Sequence, residues 1–147
     1  MKTGREFTAQ IEEFVRETEA RIIAVHRESA QRIVSKAQEY ISGELVNVQT
    51  GFLRASLRVS LSEMPKIDPG ARPNEGQRYT PESDVSLIIG SWNLKETMYA
   101  GYTAAYARHV HDGTSKMAGR PWVELAAMQW PQTVSEVTQE LKRRLGA

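Results

Sequence analysis

The sequence predicts an α+β fold, and three observations carry that prediction. A helical apolar period runs through the first 42 residues, strand-like alternation begins at Leu57, and a second helical stripe broken by one proline closes the chain. The expected order is a long N-terminal helix, a small antiparallel sheet of about three strands, and a kinked C-terminal helix packed on one side of it. With 147 residues, 40% apolar and 25% charged, residues 1–147 have the size and composition of a single globular domain. Nineteen Lys and Arg against 18 Asp and Glu leave a net charge of +1, not the balance of a dedicated nucleic-acid binder. The chain has no cysteine, which excludes disulfide frameworks, cysteine metal sites and thiol catalysis. Its apolar runs, such as Ile22-Ile23-Ala24-Val25, are too short to span a bilayer, and Met1–Glu6 turns charged at once. A soluble protein made in the cytoplasm is expected.

The N-terminal helix is read over residues 1–43. Thr3 with Glu6 fits a capping box. Phe7, Ile11, Phe14, Val15, Ile22, Val25, Ile33, Ala37, Tyr40 and Ile41 recur at three- and four-residue steps, with Thr18 and Ser29 as small polar interruptions. Glu12–Arg16, Glu17–Arg21 and Glu28–Arg32 each place the acid four residues before the base. Gly43 supplies a left-handed stop. Such a helix is roughly 55–60 Å long, more than a compact domain of this size can cover, so part of it should project or pack on a neighbouring subunit.

Val46–Gln49 reads as an extended link, and Thr50 as the cap of a short helical turn with Phe52, Leu53 and Leu57 on its apolar side. Leu57, Val59 and Leu61 alternate with polar residues, as in a strand with one buried face. Residues 65–83 hold four of the six prolines and two glycines, the composition of a flexible loop. Val85–Trp92 is expected as a central strand because its middle is apolar throughout, and Thr97–Thr103 as the returning third strand. Ala104–Asp112 reads as a helical turn ending at Gly113. Pro121 is placed as the first residue of a C-terminal helix over 121–147, kinked or restarted at Pro131. Val134, Val137, Leu141 and Leu145 continue its stripe to the basic end Lys142-Arg143-Arg144, which suits the helix dipole.

Arg108-His109-Val110-His111-Asp112-Gly113 is the sharpest chemical candidate. Two histidines and a carboxylate could ligate zinc or form an acid–base pair in a small metal-dependent hydrolase. On a helix, side chains two apart do not face one another; on a strand they would share a face. The plainer reading is a pair of polar surface histidines beside a turn. No Gly-x-Ser-x-Gly elbow frames Thr114-Ser115, and no glycine-rich phosphate cradle joins a strand to a helix. No catalytic, metal or cofactor residues are therefore assigned. Trp92, Trp122 and Trp130 suit either core or interface, and Trp122 follows Met117 and Arg120-Pro121, a mixture typical of interfaces.

Two segments resemble a known family. Thr50-Gly51-Phe52-Leu53-Arg54-Ala55-Ser56-Leu57 is similar to the Thr-Gly-x-Leu-Arg-x-Ser-Ile/Leu stretch of lambdoid siphophage tail-completion proteins, the small minor-tail or neck proteins of the lambda Z-like group. Tyr106-Ala107-Arg108-His109-Val110-His111-Asp112-Gly113-Thr114-Ser115-Lys116-Met117-Ala118-Gly119-Arg120-Pro121-Trp122 resembles the family's second signature, Tyr-Ala-x-x-Val-Glu-x-Gly-Thr-Ser-Lys-Met-x-x-Arg-Pro-Phe. The two segments cover about a sixth of the chain, in the family's order. The chain departs from the pattern at Gln49 (Asp in the family), His111 (Glu), Trp122 (Phe) and Pro131, which interrupts the last helix.

The resemblance implies a structural, non-enzymatic virion protein of the neck or upper tail. It would form a homo-oligomeric ring, six-fold by the family's habit, that completes the tail and joins it to the head-closure and connector proteins. DNA would pass through the lumen without specific binding, which the near-neutral charge suits. A tail-terminator ring on the tail tube, or a contractile-tail neck ring, is the nearest alternative. Within the motifs, Gly51 and Gly113 are expected where the backbone needs positive φ. Leu53, Tyr106, Val110 and Trp122 would pack the motif loops on the sheet, and Arg54, Lys116 and Arg120 would make subunit contacts. Thr50, Thr114, Met117 and Pro121 complete the motif set.

Overall fold

A computed structural model describes residues 4–45, 51–80 and 84–146. Helix α1 runs unbroken over Gly4–Glu39 and ends in a π turn over Tyr40–Glu44. Gly43 stops it at φ +118°, as expected of the one residue there without a side chain to strain. Then follow α2 (Phe52–Ala55), β1 (Leu57–Ser60), α3 (Asp84–Ser91), β2 (Tyr99–Tyr102), α4 (Ala107–Asp112), β3 (Gly113–Thr114), β4 (Met117–Ala118), α5 (Trp122–Ala127) and α6 (Trp130–Arg144). The capping box at Thr3, the link 46–49, the Thr50 cap and Pro81 lie outside the described residues.

The fold is α+β, with the long first helix and a bent C-terminal helix in their expected places. The sheet is smaller than expected. β1 and β2 pair antiparallel, Leu57 opposite Tyr102 and Val59 opposite Ala100, while β3 and β4 form a separate antiparallel hairpin. The central strand expected over Val85–Trp92 is helix α3 instead, while the returning strand expected over Thr97–Thr103 is β2. Val85, Ile88, Ile89 and Trp92 stand at i, i+3, i+4 and i+7, one helical face, and all four belong to a single core cluster. Leu87, which a strand would turn to the same side as Ile89, is 75% exposed. A continuous apolar run fits both periods, and packing against α1 and β1 decides for the helix.

α1 carries both halves of the core. Ala37 and Ile41 pack with Leu53, Leu57, Tyr102, Ala104, Ala107, Trp122 and Ala126. About two turns before Ala37, Ala30 packs with Val59 and the fully buried Ile89. Leu57 and Val59 thus use one face of β1, and Arg58 between them is exposed. Polar ties hold the helices to α1: Arg27 Nε donates to the Trp92 carbonyl at 2.6 Å and Gln31 Nε2 to that of Ser86 at 3.0 Å. Among the expected i,i+4 pairs, Glu28–Arg32 closes at 3.0 Å, whereas Arg16 turns to the backbone carbonyl of Glu12 at 3.4 Å.

Pro131 restarts the C-terminal helix rather than kinking it. α5 ends at Ala127 and α6 opens at Trp130 with the proline in its first turn, where a missing N–H costs nothing. Pro121 stands one position before α5, as its N-cap rather than its first residue. β1 stops at Ser60, short of the expected Leu61, and the loop expected over 65–83 is, as far as residue 80, tied to the body: Asp68 N donates to Thr103 O and Ala105 N to Ala71 O, both at 2.9 Å. No helix among the described residues is long and apolar enough to cross a membrane.

Candidate functional site

The two motif segments meet. Gly51 opens α2 at φ +81°, and a Cβ on it would stand 2.6 Å from the Tyr79 carbonyl oxygen, so both conformation and space require glycine. The turn it makes throws Phe52 between two tyrosines, edge-on to Tyr79 with ring centroids 4.8 Å apart and 6.2 Å from Tyr106 of the second motif. Leu53 is buried in the main core. Half-burial pushes the Tyr106 phenol above its ordinary value, offset in part by the Leu53 backbone it touches.

Arg54 points into its own protomer. Nη1 donates to Ser42 Oγ at 3.2 Å, and the Arg54 carbonyl accepts from Gln38 Nε2 at 3.0 Å. Within the protomer Arg54 thus ties α2 to the end of α1.

The second motif folds as α4, the β3–β4 hairpin and the entry to α5. Gly113 turns the chain at φ +88°; a Cβ there would meet Gly119 N at 2.6 Å and Met117 O at 2.9 Å. Arg120 N donates to Val110 O at 2.9 Å, which folds the end of the hairpin back onto α4. Trp122 is 1% exposed and sits edge-on between Tyr102 (5.3 Å) and His111 (5.2 Å). It is core, which settles the choice left open by sequence. Burial likewise pushes the Tyr102 phenol well above its ordinary range, and its hydroxyl donates to Gln38 Oε1 at 2.8 Å. Thr114, Lys116, Met117 and Arg120 lie outside this core on an exposed hairpin and its exit, where the backbone N–H of Lys116 donates to Thr114 Oγ1 at 3.2 Å. Pro121 is half-buried beneath it; Thr50 is outside the described residues.

The histidines fall on α4. His111 Nδ1 bonds Asp112 Oδ1 at 2.8 Å, and this bond, more than the nearby Arg108, holds the Asp112 carboxyl below its ordinary value. The other ring nitrogen, Nε2, is sealed from solvent without a partner. His109 is exposed on another side of the helix. Among the described residues no group of three or more His, Cys, Asp or Glu could hold a metal ion. Nε2 of this histidine–carboxylate pair is thus closed to solvent in the protomer.

Two surface features remain. Every described side chain from Glu6 to Glu17 is exposed, and Thr18 is the first that is half-buried. This arm carries Phe7, Ile11, Phe14 and Val15 at 60, 48, 67 and 46% exposure. Just beyond it, α1 and α6 enclose an apolar groove of about 590 Å³, walled by Ile22, Val25, Val134, Leu141 and Leu145. The periodicity marked both apolar stripes, but not that they lie side by side without closing over one another. Comparison of the chain with family models, with curated proteins and with solved structures finds no match in any of the three.

Proposed function

We propose that this chain is a structural subunit of a tailed-phage particle, acting in the neck or upper tail. Copies form a ring there that completes the tail and joins it to the head-closure proteins. The observation that carries the reading is the arm of α1: a run of exposed apolar side chains on an unbroken helix is costly for a free monomer and useful in an assembly. The resemblance of segments 50–57 and 106–122 to tail-completion proteins supplies the kind of assembly. The exposed hairpin with Lys116, Met117 and Arg120 is the surface this reading gives to neighbours in the neck, while Gly51, Leu53, Arg54, Tyr106, Val110 and Trp122 shape the body behind it. DNA passes through the lumen without specific contacts, in keeping with a net charge of +1.

Electron microscopy of lysates from a producing strain with and without the gene tests this. Deletion should leave DNA-filled heads and finished tails unjoined, and complementation should restore whole particles. Whole particles in the deletion strain would overturn the proposal. Capture of a tube protein rather than a head-closure protein by the purified chain would move the ring to the tail-terminator position.

A further inference from the structure

The arm and the groove match each other in polarity, length and charge. Arm residues Phe7, Ile11 and Phe14 form one apolar line at helical spacing with nothing beneath them in the protomer. The groove offers the complementary apolar floor between two helices, the seat a third helix takes in a bundle. The apolar line from Phe7 to Phe14 is about 10 Å long, within the roughly 17 Å that the chain spans from Val134 to Leu145 along the groove. The arm, residues 4–17, carries four glutamates and two arginines. The groove is lined by Arg21 and Lys142 and by no carboxylate. An acidic helix therefore faces a basic-rimmed channel.

The arm cannot fill the groove of its own chain. Both belong to the same unbroken helix α1, which would have to fold back on itself to bring residues 7–14 beside residues 22–25. The occupant that fits must come from another molecule, and the fitting segment is one that every copy carries.

We propose that the arm of α1, residues 4–17, lies in the α1–α6 groove of a second copy of this chain. The contact joins two different surfaces, arm to groove, so each copy offers one of each. It closes as a reciprocal pair or as a ring. The contact goes beyond the phage reading and does not rest on it; a failed deletion experiment would leave it standing, and its own failure would leave the neck assignment standing.

The chain has no cysteine, so engineered thiols report on the contact without background. An Ile11→Cys variant, mid-arm, is mixed with a Thr138→Cys variant, mid-groove, and oxidised mildly. A disulfide-linked pair containing one chain of each is expected, well above that formed by Ile11→Cys with Ser62→Cys, an exposed position outside arm and groove. In sedimentation, a Phe7→Ser, Phe14→Ser double variant should associate at least about tenfold more weakly than the unmodified chain, with circular dichroism unchanged because the arm packs on nothing in the protomer. Cross-linking no greater than with Ser62→Cys would overturn the proposal. So would a predominance of Ile11–Ile11 position dimers, an unmodified chain that stays monomeric throughout, or undiminished association of the double variant.

Discussion

The guanidinium of Arg32 grips both carboxylate oxygens of Glu140, with Nη2 to Oε2 at 2.6 Å and Nη1 to Oε1 at 3.2 Å, while its Nε holds Glu28 at 3.0 Å. This fork joins α1 to α6 beside the groove, and such two-bond pairing fixes orientation as well as proximity. The Arg32 bonds hold the Glu140 carboxyl below its ordinary value. A carboxyl depressed on folding adds stability that is present above its unfolded value, about 4.3, and is lost as pH falls through the lower folded value. Glu140→Gln should therefore lower Tm modestly near neutral pH, and the difference should shrink as pH falls through the folded value, read by thermal unfolding over a pH series from neutral into acid. A gap that persists in acid would assign the effect to packing instead.

The helical reading of residues 84–91 can be tested on two neighbours. Ile89 is fully buried and Leu87 is 75% exposed. Ile89→Ala should cost about 2–5 kcal/mol in urea unfolding, and Leu87→Ala within about 0.5 kcal/mol of nothing. A strand would place both side chains on one face and give similar losses.

Trp122 fills the junction between the sheet, α4 and α5. Trp122→Ala should cost about 3–5 kcal/mol, a large part of the stability of a domain this size, and denaturant midpoints would show it. Trp122→Phe should cost less, since a ring still meets Tyr102 and His111. Equal losses for the two substitutions would mean that the contact depends on the indole itself.

Gly51 and Gly113 have positive φ and backbone atoms where a Cβ would go. Gly51→Ala and Gly113→Ala should each destabilise by at least about 1–2 kcal/mol from the left-handed conformation alone, before the clash is relieved. Gly43→Ala shares the conformation but meets open space, so its loss should be the smallest of the three by thermal unfolding.

Much of this architecture was legible in the residues. The apolar steps from Phe7 to Ile41 gave α1, Gly43 and Gly113 gave their turns, and Pro131 gave the restart of the last helix. Val85–Trp92 misled because an apolar run satisfies both periods, and Asp84 in its first turn is a weak signal of a helix start. The site divided along similar lines. Leu53 and Trp122 read as packing residues and are buried, but Arg54 turns inward to Ser42, a long-range partnership that no local spacing encodes. The groove was illegible for the same reason: Val25 and Leu141 are 116 positions apart, and only the fold makes them neighbours.

The segment from Leu61 to Thr80 is pinned near its base through Thr103 and Ala71, and its outer turn is closed by Asn74 and Gln77. A protease that nicks the chain at this tip would leave two fragments still held by the β1–β2 ladder and by α1. The same tip is a natural insertion point. A reporter peptide of a dozen residues between Glu75 and Gly76, both exposed, would lengthen an already open loop at little entropic cost. It would leave the arm, the groove and the hairpin untouched, giving a label by which the chain can be followed through a lysate or an assembly assay.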